Sequence, residues 1–461
     1  MNSKLEHLAF VMLFGSVTLI AHSPCTAQPT TAPASDETSS APRYPVPYQV
    51  PTVQSVTQVL DRVRDRLEAG AGVAIINSRT RQPITDLSKP DPDAILDSGP
   101  ERKFAPYSYP MGVIYSGMLS CADVTGDKKF SDFVTKRFQF FVDNLDKLSA
   151  WPSEDLRRNP FRNMIKPGNL DACGAMGASM IKARRASIGP DLSNVTDRFA
   201  KYISSEQFRL DDGTLARKNP FAQSLWLDDA YMSVPLLAQQ GKLTGDRRYF
   251  DDAAKQIKQF YAHLFIPSKG LFTHAGNMAN AEDHPEYCWG RANGWFMVAT
   301  VELLDLLPED HSDRDELIKI LRAHAKGVAS QQAGNGMWHQ MLDRPDSYIE
   351  TSCTAMFAYS MAKGANRGWL DASQYAPVAI AAWNGLTTHV SPEGKLDGVC
   401  VGTSYADDYI YYYYRPATDD VHGYGPVLLA GSEMIKLLKN DHLKITGTRT
   451  GPVMVTPTKA E

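Results

Sequence analysis

Charged and apolar positions fall along this chain in alternating blocks of helical length. One set of stretches, at residues 53–69, 127–147, 190–204, 246–265, 313–332 and 374–388, reads as amphipathic, with charge on the polar face of all but the last, whose polar residues are uncharged. That is the pattern of a helix lying half in water. A second set, at residues 108–122, 169–185, 224–241, 290–305, 350–364 and 424–437, is poor in charge and rich in Ala, Gly, Ser and Met. Helices of that composition pack closely on all sides. The sets alternate, making six pairs with a period of roughly sixty residues, longer than the common helical repeats. Turn signals mark the joins. TGDKKF (residues 125–130) and TGDRRYF (residues 244–250) each close a small-residue helix and open a charged one; Gly stops the first helix and Asp caps the next. Two concentric rings satisfy this pattern, with the small-residue helices inside. The expected fold is all-α, an (α/α)6 barrel. An open helical solenoid is the competitor, but it requires neither six pairs nor polar residues gathered at one end of each inner helix.

The polar residues do gather there. Tyr109, Asp171, Asp228, Arg291 and Glu350 each stand at or just before the start of an inner stretch. If the inner helices run parallel, these side chains converge on one mouth of the barrel, where a cleft is expected. Within QSLWLDDAYMSVPLL (residues 223–237), read as an apolar helix, two adjacent carboxylates follow Trp226. Successive helical residues point about 100° apart, so Asp228 and Asp229 cannot both face the cleft. Asp228 is the candidate for chemistry and Asp229 for a structural role.

Composition narrows the partners. With 461 residues, 43% of them hydrophobic, the chain can fill one large toroid. A net charge of -4 without a basic run argues against nucleic acid. The six cysteines have no zinc-ligand spacing and read as buried thiols. No phosphate loop, HExxH or EF-hand pattern is present, so neither a metal nor a cofactor is expected. Lys4 and His7 precede an apolar run, LAFVMLFGSVTLIA, of signal-peptide length, and Ala27 closes a small-x-small cleavage site. Cys25 sits in a poor lipobox, because His22 and Pro24 fall where small residues are needed. The expected organisation is a signal peptide (1–27), a Pro/Ser/Thr-rich linker (28–51), a barrel domain (52–445) and a C-terminal tail (446–461), with export to a bacterial periplasm and no membrane span.

Five motifs carry a resemblance: WLDDAYM (residues 226–232), His274, WGRANGW (residues 289–295), ETSCTAMFAYSMAKG (residues 350–364) and VCVGT (residues 399–403). In this order the chain resembles the unsaturated rhamnogalacturonyl hydrolases of glycoside hydrolase family 105, relatives of the unsaturated glucuronyl hydrolases of family 88. The resemblance runs from about residue 107 to residue 437. It implies an (α/α)6 barrel acting on an oligosaccharide with a 4,5-unsaturated uronic acid at its non-reducing end. It also implies hydration of the C4=C5 double bond rather than protonation of the glycosidic oxygen. Residue by residue, it implies that Asp228 is the general acid/base, that Asp171 is a second active-site Asp, and that His274 is the active-site His. Trp289 and Arg291 match aromatic and cationic substrate contacts, and Tyr109 a substrate-binding Tyr. A donor of a proton to carbon must hold that proton near neutral pH, which burial beside Trp226 or the anion of Asp171 would favour and a helix start would oppose. The chain departs from the family where a His-Lys pair is usual: Arg217 and Lys218 stand there, keeping basic groups for substrate binding. The Tyr411–Tyr414 run and His422 either wall the cleft or pack the closing seam. Two other readings remain. One is a conventional glycosidase using Asp171 and Asp228 as its two carboxylates. The other is an exported sugar-binding barrel without catalysis.

Overall fold

Thr52 opens the first helix with a capping box: its side chain accepts from the Ser55 amide, and the Ser55 hydroxyl reciprocates at the Thr52 backbone. From there Val56, Val59, Leu60, Val63 and Leu67 form a buried stripe at helical spacing. The same logic builds eleven more helices of nine residues or longer among the described residues of this computed structural model, which are 49–280, 285–406, 408–447 and 452–458. In chain order they are α1 (Val53–Gly70), α2 (Tyr109–Thr125), α3 (Lys128–Ser149), α4 (Leu170–Arg185), α5 (Ser193–Lys201) and α6 (Val234–Thr244). They continue as α7 (Arg247–Leu264), α8 (Gly290–Leu306), α9 (Arg314–Ser330), α10 (Thr351–Asn366), α11 (Ala372–Thr387) and α12 (Tyr424–Leu438). The predicted signal peptide and all but the end of the linker lie outside the described residues.

The even-numbered helices form the inner ring. Each packs on the next, from α2 through α4, α6, α8 and α10 to α12, and α12 packs back on α2 to close the barrel. The odd-numbered helices lie outside, each against an inner partner, with α1 on α12. The TGD turns work as their residues require. Gly126 and Gly245 adopt left-handed φ values of 71° and 74°, and Asp127 and Asp246 cap α3 and α7 with their side chains. Small residues in the inner ring reflect close approach. A Cβ on Gly174 of α4 would stand 1.8 Å from the backbone oxygen of Met232. Gly174→Ala is therefore expected to destabilise the fold by about 1–3 kcal/mol or more through overpacking, read as a lower midpoint of chemical denaturation.

One stretch differs from its expected form. Residues 224–241 are not one helix. Ser224–Trp226 is a short strand antiparallel to Ala275–Asn277, Leu227–Ala230 is a 3-10 turn, and α6 starts only at Val234. Pro235 has no N–H to return to the carbonyl of residue 231, so a continuous α-helix loses its bond there. Similar two-residue ladders precede other inner helices: Trp338–His339 pairs with Ile349–Glu350, and Val399–Cys400 with Ala417–Thr418. They set the residues that enter the barrel mouth. Beyond α12, Leu443–Thr446 pairs with Met454–Pro457 across the expected boundary between barrel domain and tail, and the second of these strands rests on α11. Among the described residues, no helix is long and apolar enough to cross a membrane.

Candidate active site

The ladder between Ser224–Trp226 and Ala275–Asn277 puts Asp228 beside His274. The Leu227 amide donates to the His274 carbonyl at 2.9 Å, and one residue later Asp228 Oδ2 stands 3.2 Å from His274 Nε2. Neither atom has a well-aligned hydrogen bond to any described group, and both are buried. The other imidazole nitrogen, Nδ1, meets the Tyr412 hydroxyl at 2.6 Å. The rings of Trp226 and Trp289 flank the imidazole edge to face, at 5.6 and 4.6 Å between centroids.

Burial pushes the Asp228 carboxyl up, but His274, Arg217 and Arg291 together outweigh it and hold it below the ordinary carboxylate range. With these neighbours Asp228 is an anion. The 3-10 turn also removes the helix-start position on which the dipole argument rested.

Asp229 faces the other way and is fully buried. Arg217 grips it with two forked bonds, Nε to Oδ2 at 2.9 Å and Nη2 to Oδ1 at 2.6 Å. Burial lifts the Asp229 carboxyl to about 6 even against this pair, so it is still ionised at neutral pH. The guanidinium is pushed up in turn, since the carboxylates of Asp229, Asp171 and Asp228 outweigh its own desolvation. The Arg217 fork reaches Asp171 as well, Nη2 to Oδ1 at 3.1 Å, and lies 4.5 Å above the Trp226 ring. Arg217 thus binds three parts of the mouth together: the turn, the start of α4 and the strand before the turn. Lys218 is exposed and lies 5.1 Å from the Phe208 ring, beside a groove lined by Asn169, Gln207 and Asn219. It does not join the Asp228 cluster.

Trp289 and Arg291 open α8, and both are only 1% exposed. Arg291 donates to the carbonyls of Cys400 and Val401 at 2.6 and 2.8 Å and stacks on Trp289 at 4.5 Å. Glu350, also buried, caps α10 by accepting from the Ser352 and Cys353 amides and binds the Cys400 amide at 2.9 Å. These charges fasten the VCVGT segment to the mouth. In the structure Arg291 acts on the site mainly through its charge and through Trp289.

Tyr109 opens α2, and Arg291, Asp171 and Asp228 all act on its hydroxyl, placing it at the same mouth. Its hydroxyl bonds His422 Nε2, and His422 Nδ1 bonds Asp420. Burial raises the Tyr109 phenol, so it is neutral. Burial and Arg291 lower His422. Of the candidate residues, the mouth therefore gathers Asp171, Asp228, His274, Tyr109, Arg217, Trp226, Trp289 and Arg291. Sequence reading had no means of finding the Arg217–Asp229 pair or the Tyr109–His422–Asp420 chain, because the partners come from separate loops. The tyrosine run was visible, but which ring turns inward depends on the register of a five-residue helix, Tyr409–Tyr413.

The chain is similar to known proteins in sequence and in fold. The chain is 30% identical over 215 residues to an unsaturated 3S-rhamnoglycuronyl hydrolase of Alteromonas sp., covering 46% of this chain and 51% of that protein. It is 22% identical over 306 residues to the unsaturated rhamnogalacturonyl hydrolase YesR of Bacillus subtilis, covering 65% of this chain and 80% of that protein. The chain spans about half the length of the first of these relatives. In fold it is similar to a possible member of the GH105 family from Salmonella enterica, with a TM-score of 0.67, 24% identity, and coverage of 84% of this chain and 95% of that one. That likeness supports the (α/α) barrel read from the helix pattern. The family model for Glycosyl Hydrolase Family 88 matches residues 91–438, and on that match the chain belongs to this family.

Proposed function

We propose that this protein is a glycoside hydrolase that removes a 4,5-unsaturated uronic acid from the non-reducing end of oligosaccharides, by adding water across the C4=C5 bond. Asp228 delivers a proton to C4. Positive charge then develops at C5 and the ring oxygen, and water attacks C5. The resulting hemiketal opens, and the aglycone leaves without further help. The observation that carries this reading is the Asp228–His274 pair: a buried carboxylate oxygen, Oδ2, faces the imidazole Nε2, and neither atom has another hydrogen-bond partner among the described groups. Such a group can move one proton without a second carboxylate across the bond.

The two-carboxylate reading has less support. It needs a second, available carboxylate, yet Arg217 holds both Asp171 and Asp229. The names of the Alteromonas and Bacillus relatives support an unsaturated uronide, and they favour rhamnose as the neighbouring sugar. Export to a bacterial periplasm belongs to the same proposal and rests on the N-terminal residues alone.

Ultraviolet absorbance tests the reaction class. Hydration consumes the conjugated double bond, so absorbance of a lyase-generated disaccharide should fall on adding the protein, and the saturated analogue should be inert. Turnover of saturated uronides would contradict the proposal, and a rise in absorbance on polysaccharide would indicate a lyase instead.

A further inference from the structure

The reaction demands a proton on Asp228, yet the surrounding groups hold that carboxylate ionised. The proton has to be kept elsewhere and close by. Asp228 Oδ2 and His274 Nε2 are 3.2 Å apart, and neither has another hydrogen-bond partner among the described groups. Among the described groups, His274 Nε2 is the proton-carrying atom that faces Asp228 Oδ2.

What the imidazole can give depends on its far nitrogen. Nδ1 meets the hydroxyl of Tyr412 at 2.6 Å, and both side chains are fully buried. The neighbouring tyrosines are engaged in other ways. Tyr409 donates to the Glu286 carbonyl at 3.1 Å, Tyr411 accepts from the Ser404 amide at 2.8 Å, and Tyr413 donates to Asp346 at 2.9 Å. These three pin the Tyr409–Tyr413 helix by its sides and leave Tyr412 as the ring that enters the site. Burial raises the Tyr412 phenol, so it remains neutral and able both to donate and to accept. The charged group facing this imidazole among the described residues is Asp228, on which Arg217 and Arg291 act in turn. The rings of Trp226, Trp289 and Tyr412 complete its surroundings.

Two proton arrangements satisfy these atoms. In the first, Tyr412 donates to a bare Nδ1, and Nε2–H faces a carboxylate that has no proton to give. In the second, Nδ1–H donates to the Tyr412 oxygen, and one further proton lies between Nε2 and Oδ2. Only the second can supply C4. We propose that Tyr412 is a positioning residue: by accepting the Nδ1–H of His274, it keeps that proton in place and makes Nε2 the nitrogen that exchanges a proton with Asp228. The cycle then balances. The Nε2–H bond breaks as Oδ2–H forms, and the carboxylic acid gives its proton to C4. The water that attacks C5 returns a proton to the Asp228–His274 pair. This inference rests on the proposed hydration.

The experiment is nitrogen-15 NMR of the histidine side chains in the full chain at neutral pH, with His274→Gln to assign the His274 signals. The expected spectrum has a proton on Nδ1 of His274, which is released to solvent in Tyr412→Phe to leave Nδ1 bare. In the same variant kcat on an unsaturated disaccharide should fall at least about tenfold, within the range of general acid–base effects, with KM changed by no more than about twofold. A bare Nδ1 in the wild-type chain overturns the proposal whatever the activity, and so does an unchanged kcat in Tyr412→Phe. A protonated Nδ1 in a chain that leaves unsaturated uronides untouched would support the placement of the proton and overturn the hydration reading. The wild-type spectrum decides the matter even if the variant fails to fold.

Discussion

Asp228→Asn should lower kcat on an unsaturated disaccharide by about 10³-fold or more, toward the upper part of the range for loss of a general acid, while leaving the fold intact. Asn has the shape of Asp and cannot give a proton to carbon. The Asp228 side chain is 15% exposed and faces the imidazole of His274, so the change breaks no structural ion pair of the kind that Asp229 makes. Thermal unfolding should therefore stay close to wild type, and substrate should still bind. Loss of absorbance change in a folded, binding variant also separates an enzyme from a sugar-binding barrel, for which Asp228→Asn would leave the one measurable property unaltered. Activity within about tenfold of wild type would remove Asp228 from the role of acid.

Arg217→Met should destabilise the protein by about 3–5 kcal/mol, the usual cost of leaving a buried charge without its partner. Asp229 has no exposure, and its two short bonds come from this one guanidinium. Without it, the carboxyl is held more strongly in its protonated form in the folded state than in the unfolded state. A carboxyl with a raised folded pKa binds protons preferentially when folded. The variant should thus regain stability as pH falls and lose it as pH rises, and its deficit should be larger near pH 8 than near pH 5. Denaturant titrations at the two pH values read this directly. Replacing the pair together, Arg217→Met with Asp229→Leu, should recover much of the loss, as apolar replacement of buried pairs often does. An Arg217→Met variant as stable as wild type would mean that the pair is not what holds the turn.

These two results concern neighbouring carboxylates that look equivalent in the sequence. Their separation was legible in part. The angular argument put one inward and one in a structural role, and the structure gives Asp229 a structural partner. The route was different, since a 3-10 turn replaces the expected helix start. That turn depends on pairing with residues 275–277, about fifty positions later, a non-local contact that local periodicity does not register. The twelve barrel helices were readable because their signals are local: caps at Thr52, Asp127 and Asp246, glycine stops at Gly126 and Gly245, and stripes of burial. Arg217 illustrates the opposite case. A basic residue in a motif invites assignment to an anionic substrate, but its actual partners are carboxylates from α4 and the 3-10 turn. Tyr412 is similar: four consecutive tyrosines carry no indication of which one reaches His274 until the helix that holds them is placed.

The central claim is that the protein hydrates a double bond and does not protonate the glycosidic atom. An unsaturated uronide joined to its aglycone through sulfur tests this most directly. Sulfur accepts a proton poorly, so a conventional glycosidase depends on oxygen at that position, whereas hydration at C4 and C5 does not involve it. The expected result is turnover of the sulfur-linked substrate at a rate within about tenfold of its oxygen-linked counterpart. A loss of about 10³-fold, comparable to removing a general acid from the glycosidic bond, would contradict the account.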